Sequence, residues 1–302
     1  MSSVTLSIII VNWNTKELLK KCVQSIIQHT RNLTYEIIVV DNHSDDGSVP
    51  FLNDIFPILT LIENEKNLGF SRAHNQGIKI AKGKYILLLN SDTYIADNAF
   101  YSMMHFIKGD NNIGICGPKV LNPDSSPQTT RVDQYAPMDA FLKILGIYNY
   151  RKESERMDYD TIQEVEVIGG CCMLFRRSVF NTVGLLDESY FLYNEENDIC
   201  LRVRKAGWKI VFYPISIVFH IGGSSTSQRE IADTVVVACY KSNVYFYKKY
   251  FSTKAYFILL LTYKITFFLS VMKLFILYLL HWSSRREVIK QKMLLKWDLL
   301  MM

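Results

Sequence analysis

Continuous apolar runs alternate with helically spaced ones along the first part of the chain. Leu6 to Val11 (Leu-Ser-Ile-Ile-Ile-Val), Glu36 to Val40 and Tyr85 to Leu89 carry aliphatic residues with no period-two break. Such runs suit strands buried on both faces, as at the centre of a parallel sheet. A shorter strand is expected from about Leu59 to Glu63. Between these runs, Leu18, Leu19, Cys22, Val23, Ile26 and Ile27 recur at helical spacing after Thr15. A second helix is expected to follow Asn67-Leu-Gly-Phe-Ser-Arg-Ala-His-Asn75 as far as Ala81. Strand and helix in this alternation specify a parallel sheet with right-handed crossovers.

Each long strand stops on short polar side chains: Asn12-Trp13-Asn14, Asp41 and Asn90-Ser91-Asp92. In open α/β sheets the carboxyl ends of the central strands face the ligand crevice. Three polar ends on one rim therefore describe a nucleotide-type crevice. No G-x-G-x-x-G follows the first strand and no G-x-x-x-x-G-K-[ST] occurs, which argues against dinucleotide oxidoreductases and P-loop enzymes. A bound divalent cation is the alternative way to neutralise a diphosphate, and Asp92 is well placed to hold one. The same Asp92 also reads as a plain strand-end turn residue.

Beyond this region the pattern changes. Asn122 to Glu164 shows little periodicity and is expected to form loops and short helices over the crevice. Val165 to Phe175 reads as a strand, with Gly169-Gly170 where something approaches the backbone closely. Arg176-Arg177-Ser178 leads a short helix ending at Gly184. Phe191-Leu-Tyr-Asn-Glu-Glu-Asn-Asp198 opens another, closed by Gly207; its acidic cluster either complements the helix dipole or supplies reactive carboxylates. His220 ends the apolar strand Ile215 to Phe219.

Charge separates the chain into two chemically different regions. The formal net charge is +5, but from Gln228 onward twelve Lys/Arg stand against four Asp/Glu. The boundary is drawn between residues 227 and 228. The six cysteines contain no C-x-x-C pair, so a reducing cytosol is expected. The apolar start of the chain is read as a first strand and not a signal peptide. Ala255 to Trp282 is long enough to cross a ~30 Å hydrocarbon core, yet Lys264 and Lys273 interrupt it. A charge at mid-bilayer costs roughly 2.5–3.5 kcal/mol. The preferred reading is interfacial helices, with Lys248, Lys249, Lys254, Arg285 and Arg286 facing an anionic membrane surface. A true span is the second reading and a dimerisation helix the third. Nucleic acid is not an expected partner.

Four stretches, "SIIIVNWNTKELLKKCVQSI", "EIIVVDNHSDDGS", "NEKNLGFSRAHNQGIKIAKGKYILLLNSDT" and "GGCCMLFRRSVFNTVGLLDESYFLYNEENDICLRVRKAGWKI", together resemble the family 2 inverting glycosyltransferases of GT-A fold. Within that family the resemblance is to bacterial rhamnosyltransferase-like members that build cell-surface polysaccharide. It covers roughly residues 5 to 225. It implies a GT-A domain, an α/β architecture with a mostly parallel central sheet flanked by helices, followed by a helical membrane-associating tail. Carried over residue by residue, Val11, Asn12, Trp13 and Asn14 would line the base and ribose pocket. Asp41 would accept a hydrogen bond from an imide N–H, as uracil and thymine present. Gly69 and Asn75 would lie near the donor diphosphate or sugar. Asn90-Ser91-Asp92 stands where the family has Asp-x-Asp, leaving Asp92 as the one charged ligand of Mg2+ or Mn2+. Gly169, Gly170 and Tyr193 would border the acceptor.

The family's general base is an Asp within "Tyr-Gly-Glu-Asp-x-Asp", and this chain reads Tyr193-Asn194-Glu195-Glu196-Asn197-Asp198. The base position falls on Glu196, with Glu195 next in line. His220 would reach the metal or diphosphate, or else be a hydrogen-bonded strand-end histidine. The resemblance implies a metal-dependent hexosyltransferase. It would take a dTDP- or UDP-sugar, dTDP-rhamnose by the nearest subgroup, to a polyprenyl-linked or surface glycan at the cytoplasmic face of the plasma membrane. Two alternatives stand beside it: a sugar nucleotidyltransferase, which should show a basic glycine-rich loop after the first strand, and a non-catalytic glycan-binding protein. A homodimer is a further expected assembly.

Overall fold

The computed structural model describes residues 4–55, 59–128, 131–132, 158–222, 229–280 and 286–301. In chain order the elements are β1 (Leu6–Asn12), α1 (Lys16–His29), β2 (Tyr35–Asp41), α2 (Ser48–Ile55), β3 (Thr60–Glu63), α3 (Phe70–Ile80), β4 (Tyr85–Asn90), β5 (Thr93–Tyr94), α4 (Ala99–Gly109) and β6 (Ile113–Leu121). There follow β7 (Arg131–Val132), β8 (Gln163–Glu164), β9 (Val167–Ile168), β10 (Cys172–Arg176), α5 (Arg177–Val183), α6 (Glu195–Lys205) and β11 (Lys209–His220). The chain ends in α7 (Arg229–Tyr250), α8 (Thr253–Leu280) and α9 (Arg286–Met301). Described residues up to 132 and from 158 to 222 cluster into one compact unit, and those from 229 onward fall in a second.

In the first unit nine strands form one sheet ordered β3-β2-β1-β4-β10-β6-β11-β5, with β8 on β11, and β7 pairs antiparallel with β9 in a separate two-stranded sheet. The aliphatic runs are strands buried on both faces, as their lack of alternation implies. Ile8 and Ile10 of β1 face a core shared with Leu19, Cys22 and Ile26 of α1. Ile9 faces the opposite core with Ala73 and Ile78 of α3. Gly77 permits that second contact, because a Cβ there would stand 2.5 Å from a methyl of Ile9. Ile27, at the edge of the helical stripe, is 40% exposed and lies outside the core.

The strands β1, β2, β3 and β4 run parallel, and their register aligns Asn12 with Asp41 and Val11 with Asn90. Three polar strand ends therefore share one rim. Two expectations need adjustment. Val165 to Phe175 is not one strand: β9 ends at Ile168, and Gly169-Gly170 separates it from β10. Next, β10 lies antiparallel to both β4 and β6. The chain re-enters the sheet from the polar rim, Cys172 pairing with Leu89 and Arg176 with Tyr85, so no crossover helix is needed. Most of the loop region Asn122 to Glu164 lies outside the described residues.

In the second unit, Tyr240 of α7, Phe267 of α8 and Leu299 of α9 form a small buried cluster. The opposite face of α8 is bare: Phe257, Leu261, Phe268, Leu269, Phe275 and Leu279 are exposed. The hydroxyls of Thr262, Thr266 and Ser270 donate to carbonyls four residues back at 2.7–2.8 Å, so they need no outside acceptor. By length and composition Thr253–Leu279 could cross a membrane. Arg285 lies outside the described residues.

Candidate active site

The parallel strand ends build the first part of the site. Asn12 Nδ2 donates to Asp41 Oδ2 at 2.8 Å and to Ser44 Oγ at 3.0 Å. Asp41 Oδ1 accepts the Ser44 N–H at 2.8 Å. The carboxylate, 2% exposed, is thus pinned from both sides while each oxygen keeps lone-pair capacity for another donor. Asn14, at φ 52°, closes the same pocket: its N–H donates to Ser44 Oγ and its Oδ1 accepts the Asp45 N–H. Trp13 and Val11 are half-buried beside it. Thr15 Oγ1 lies 2.7 Å from both Asn12 Oδ1 and Ser91 Oγ, joining this pocket to the end of β4.

Asn42 was not among the sequence candidates. Its amide bonds Asn67 Oδ1 and the Gly69 carbonyl, and its own oxygen accepts from Leu68 N–H and Asn64. It shapes the loop that leads into α3. Its place directly after Asp41 was the available signal. Gly69 itself has φ 81°, and a Cβ there would stand 2.5 Å from the Phe191 carbonyl oxygen; only glycine fits. Asn75 is buried, donating to the Leu186 carbonyl (2.9 Å) and Glu188 Oε1 (3.1 Å) and accepting from Leu186 N–H (3.1 Å). Its hydrogens serve the loop before α6.

At the end of β4, Asp92 is 7% exposed. Its Oδ1 lies 3.2 Å from His220 Nε2, and Asn90 Nδ2 lies 3.3 Å from the same nitrogen. Strand β5 pairs Thr93 with His220, which brings residues far apart in sequence side by side. A carboxylate oxygen and an imidazole nitrogen on one wall suit a divalent cation. Among the described residues no group of three or more His, Cys, Asp or Glu could hold a metal by itself.

The acid pair opens α6. Tyr193 and Asn194 both adopt positive φ, 69° and 68°, a tight reversal that sets the helix start. Glu195 is 4% exposed and Glu196 half-buried, and one oxygen of each, Oε2, is buried without a hydrogen-bond partner. Burial pushes both carboxyls above their ordinary range, and the charge of Glu196 pushes Glu195 further. The backbone N–H groups at the helix start pull the other way and lose to burial. Gly170 faces this pair, since a Cβ there would lie 4.0 Å from Glu196 Cβ and 3.6 Å from Phe70 Cζ. Burial foremost, then the charge of Asp92 and, more weakly, that of Glu196, pushes the Cys171 thiol up to about 12. Cys171 also accepts the Asn90 N–H at 2.9 Å through its carbonyl. Gly170 and Cys171 thus lie between the end of β4 that carries Asp92 and the helix start that carries Glu196. Tyr193 is 38% exposed at its edge.

Asp198 has a different role. It is fully buried and held by Arg202 at 2.7 Å, while the same guanidinium donates to the carbonyls of Val183 and Leu185. That pair fastens α6 to the end of α5.

Residues 7–184 match the model of the family described as Glycosyl transferase family 2. Over 211 residues the chain is 26% identical to N-acetylglucosaminyl-diphospho-decaprenol L-rhamnosyltransferase of Mycobacterium tuberculosis, covering 64% of this chain and 68% of that protein. Over 204 residues it is 28% identical to the low-salt glycan biosynthesis hexosyltransferase Agl10 of Haloferax volcanii, covering 66% and 62%. Among solved structures it resembles GalNAc-T7 with UDP, GalNAc and Mn2+ (TM-score 0.56, 21% identity, 82% of this chain and 50% of that one). It also resembles the mannosyltransferase PcManGT of Pyrobaculum calidifontis in complex with GDP-Man and Mn2+ (TM-score 0.57, 15% identity, 82% and 64%). These likenesses show the fold, the GT-A arrangement of a mixed sheet with flanking helices.

Proposed function

The chain belongs to glycosyl transferase family 2, and from that premise we propose that it is a metal-dependent inverting enzyme. Its donor is a dTDP- or UDP-sugar, with dTDP-rhamnose the preferred reading because a rhamnosyltransferase is among its relatives. Its acceptor is a lipid-linked or cell-surface glycan, met at the cytoplasmic face of the membrane. Residues 1–227 form the catalytic domain and 228–302 the membrane-associating tail.

One observation carries the reading: a half-buried glutamate with a raised pKa and an unpartnered oxygen, beside Gly170, shares a site with Asp92. In the proposed reaction the acceptor hydroxyl oxygen attacks the anomeric carbon as the bond to the diphosphate oxygen breaks. Its proton passes to Glu196 Oε2, and single displacement inverts the centre. A carboxyl raised toward neutrality is a better base than one at its ordinary value. Asp41 accepts the imide N–H of uracil or thymine, and Asn12, Trp13 and Asn14 enclose the nucleoside. Asp92 and His220 would hold a divalent cation, whose charge would offset that of the leaving nucleoside diphosphate.

The test is thermal stability with UDP, dTDP, GDP and CMP, each with and without Mn2+. A Mn2+-dependent rise for UDP or dTDP alone is expected. No rise with any nucleotide would remove the donor assignment and favour a protein that keeps the fold without the chemistry.

A further inference from the structure

We propose that Gln128 is a positioning residue that fixes His220 as the Nδ1–H tautomer and so aims its Nε2 lone pair, beside Asp92, at the diphosphate-bound cation. The proposal rests on the cation reading of Asp92 and His220 given above. Gln128 lies 92 positions before the histidine, in the turn after β6, and no sequence pattern nominates it.

A chain of hydrogen bonds leads inward from the surface to the histidine. Asn122 Nδ2 donates to Ser126 Oγ at 2.8 Å, which leaves Asn122 Oδ1 facing Gln128. Gln128 Nε2 lies 2.6 Å from that oxygen and 2.6 Å from the His220 carbonyl oxygen. Two acceptors at such distances require the nitrogen of the amide there, because an oxygen in its place would face two oxygens. The other end of the amide, Oε1, is then an acceptor 2.9 Å from His220 Nδ1. Only an N–H at Nδ1 satisfies it, so the neutral ring carries its lone pair on Nε2.

That lone pair stands 3.2 Å from Asp92 Oδ1 and 3.3 Å from Asn90 Nδ2. Without an ion the Asn90 amide can donate to that lone pair while the Asp92 oxygen repels it; a shared cation would attract both the nitrogen and the oxygen. Gln128 grips the histidine twice, at Nδ1 and at the backbone carbonyl, and its own N–H is tied to the Val120 carbonyl of β6 at 2.8 Å. The imidazole is thereby held against both tilt and tautomer exchange, the task that outer-shell partners perform for metal-binding histidines.

Two readouts test this without relying on turnover. In the metal-free full-length protein, at a pH high enough for the ring to be neutral, 15N spectra of labelled histidine should assign His220 as the Nδ1–H tautomer, and Gln128→Ala should mix the two. An Nε2–H tautomer in the wild type overturns the proposal. With UDP present, Mn2+ affinity read by electron paramagnetic resonance should fall 10–100-fold in Gln128→Ala, while kcat at saturating Mn2+ recovers. Asn122→Ala, which removes only the outer acceptor, should weaken Mn2+ in the same direction by less. His220→Ala should weaken it at least as much as Gln128→Ala, and the double variant no further, since Gln128 acts through His220. Weakened His220→Ala with unchanged Gln128→Ala sinks the Gln128 role alone. Unchanged affinity in His220→Ala sinks the cation reading beneath it.

Discussion

The backbone N–H of Phe70 donates to the carbonyl of Phe191 at 2.8 Å, joining the loop that starts α3 to the loop that starts the glutamate helix. The proposed donor side and base side of the site are therefore one rigid piece at this point. Gly69 is the residue that lets them meet, with Phe191 backbone and ring atoms where its Cβ would be.

Gly69→Ala should push these loops apart and strain a backbone held at φ 81°. Because displacements near 1 Å cost about 100-fold in well-placed reactions, kcat should fall by about that factor. Donor binding, measured by UDP titration calorimetry, should change far less, since Asp41 and Asn12 are held by their own bonds. Unchanged kcat would show that the Phe70–Phe191 contact does not set the base.

Glu196→Gln should lower transfer by roughly 10²–10⁴-fold, the range for general bases, while UDP binding persists. The wild-type kcat/KM should rise with pH along an acidic limb whose midpoint lies above the ordinary glutamate value of 4.5, because burial raises Glu196. The midpoint belongs to the Glu195–Glu196 pair as a whole. A limb at or below 4.5 would contradict the burial argument.

Much of this site was legible before the fold. The unbroken aliphatic runs gave the parallel strands, and their polar ends gave Asn12, Asp41 and Asp92 on one rim, because strand register carries sequence position directly into space. Gln128 was not legible, and Asn42 was marked only by its place directly after Asp41. Their roles arise from hydrogen bonds between segments whose proximity only the folded sheet creates, and an Asn or Gln in a turn has many local explanations. The reversed direction of β10 escaped for a related reason: apolar runs report burial, not orientation. Asn75, read as a residue near the donor, is tied to Leu186 and Glu188.

Glu195→Gln separates the two carboxylates. The folded carboxyl of Glu195 titrates well above 4.5 because of burial and the neighbouring Glu196 charge. Between 4.5 and its folded value the native state binds more protons than the unfolded chain, so stability falls as pH rises through that window. The neutral amide removes this loss. Tm should rise by roughly 2 °C at pH 8, the response of a domain of about 230 residues to about 1 kcal/mol, and by nothing near pH 4. Transfer should persist. If Glu195→Gln instead abolishes transfer and Glu196→Gln does not, the base is Glu195.

The tail yields a prediction about geometry in the membrane. Along α8 the exposed residues Phe257, Leu261, Phe268, Leu269, Phe275 and Leu279 form a bare apolar stripe. Tyr263 and Phe267, on the other side, pack against Leu295 and Leu299 of α9 and Tyr240 of α7. Helix α9 carries exposed Lys290, Lys292 and Asp298, and Lys296 sits over the Phe267 ring at 5.1 Å. Were α8 to span, these charges would be drawn with it toward hydrocarbon, where each costs a few kcal/mol. Lying in the interface, α8 would sink its stripe into lipid and leave α9 on the water side, and the exposed Lys248, Lys249 and Lys254 would face anionic headgroups. Binding to vesicles should therefore rise with their anionic fraction and weaken between 0.05 and 0.5 M salt, as screening shortens the reach of surface charge. Full-length protein with Phe257, Phe268 and Phe275 changed to Asp should move from the membrane pellet to the supernatant, as should a chain ended after Phe251. Salt-independent binding to neutral vesicles that resists alkaline carbonate would instead establish a span.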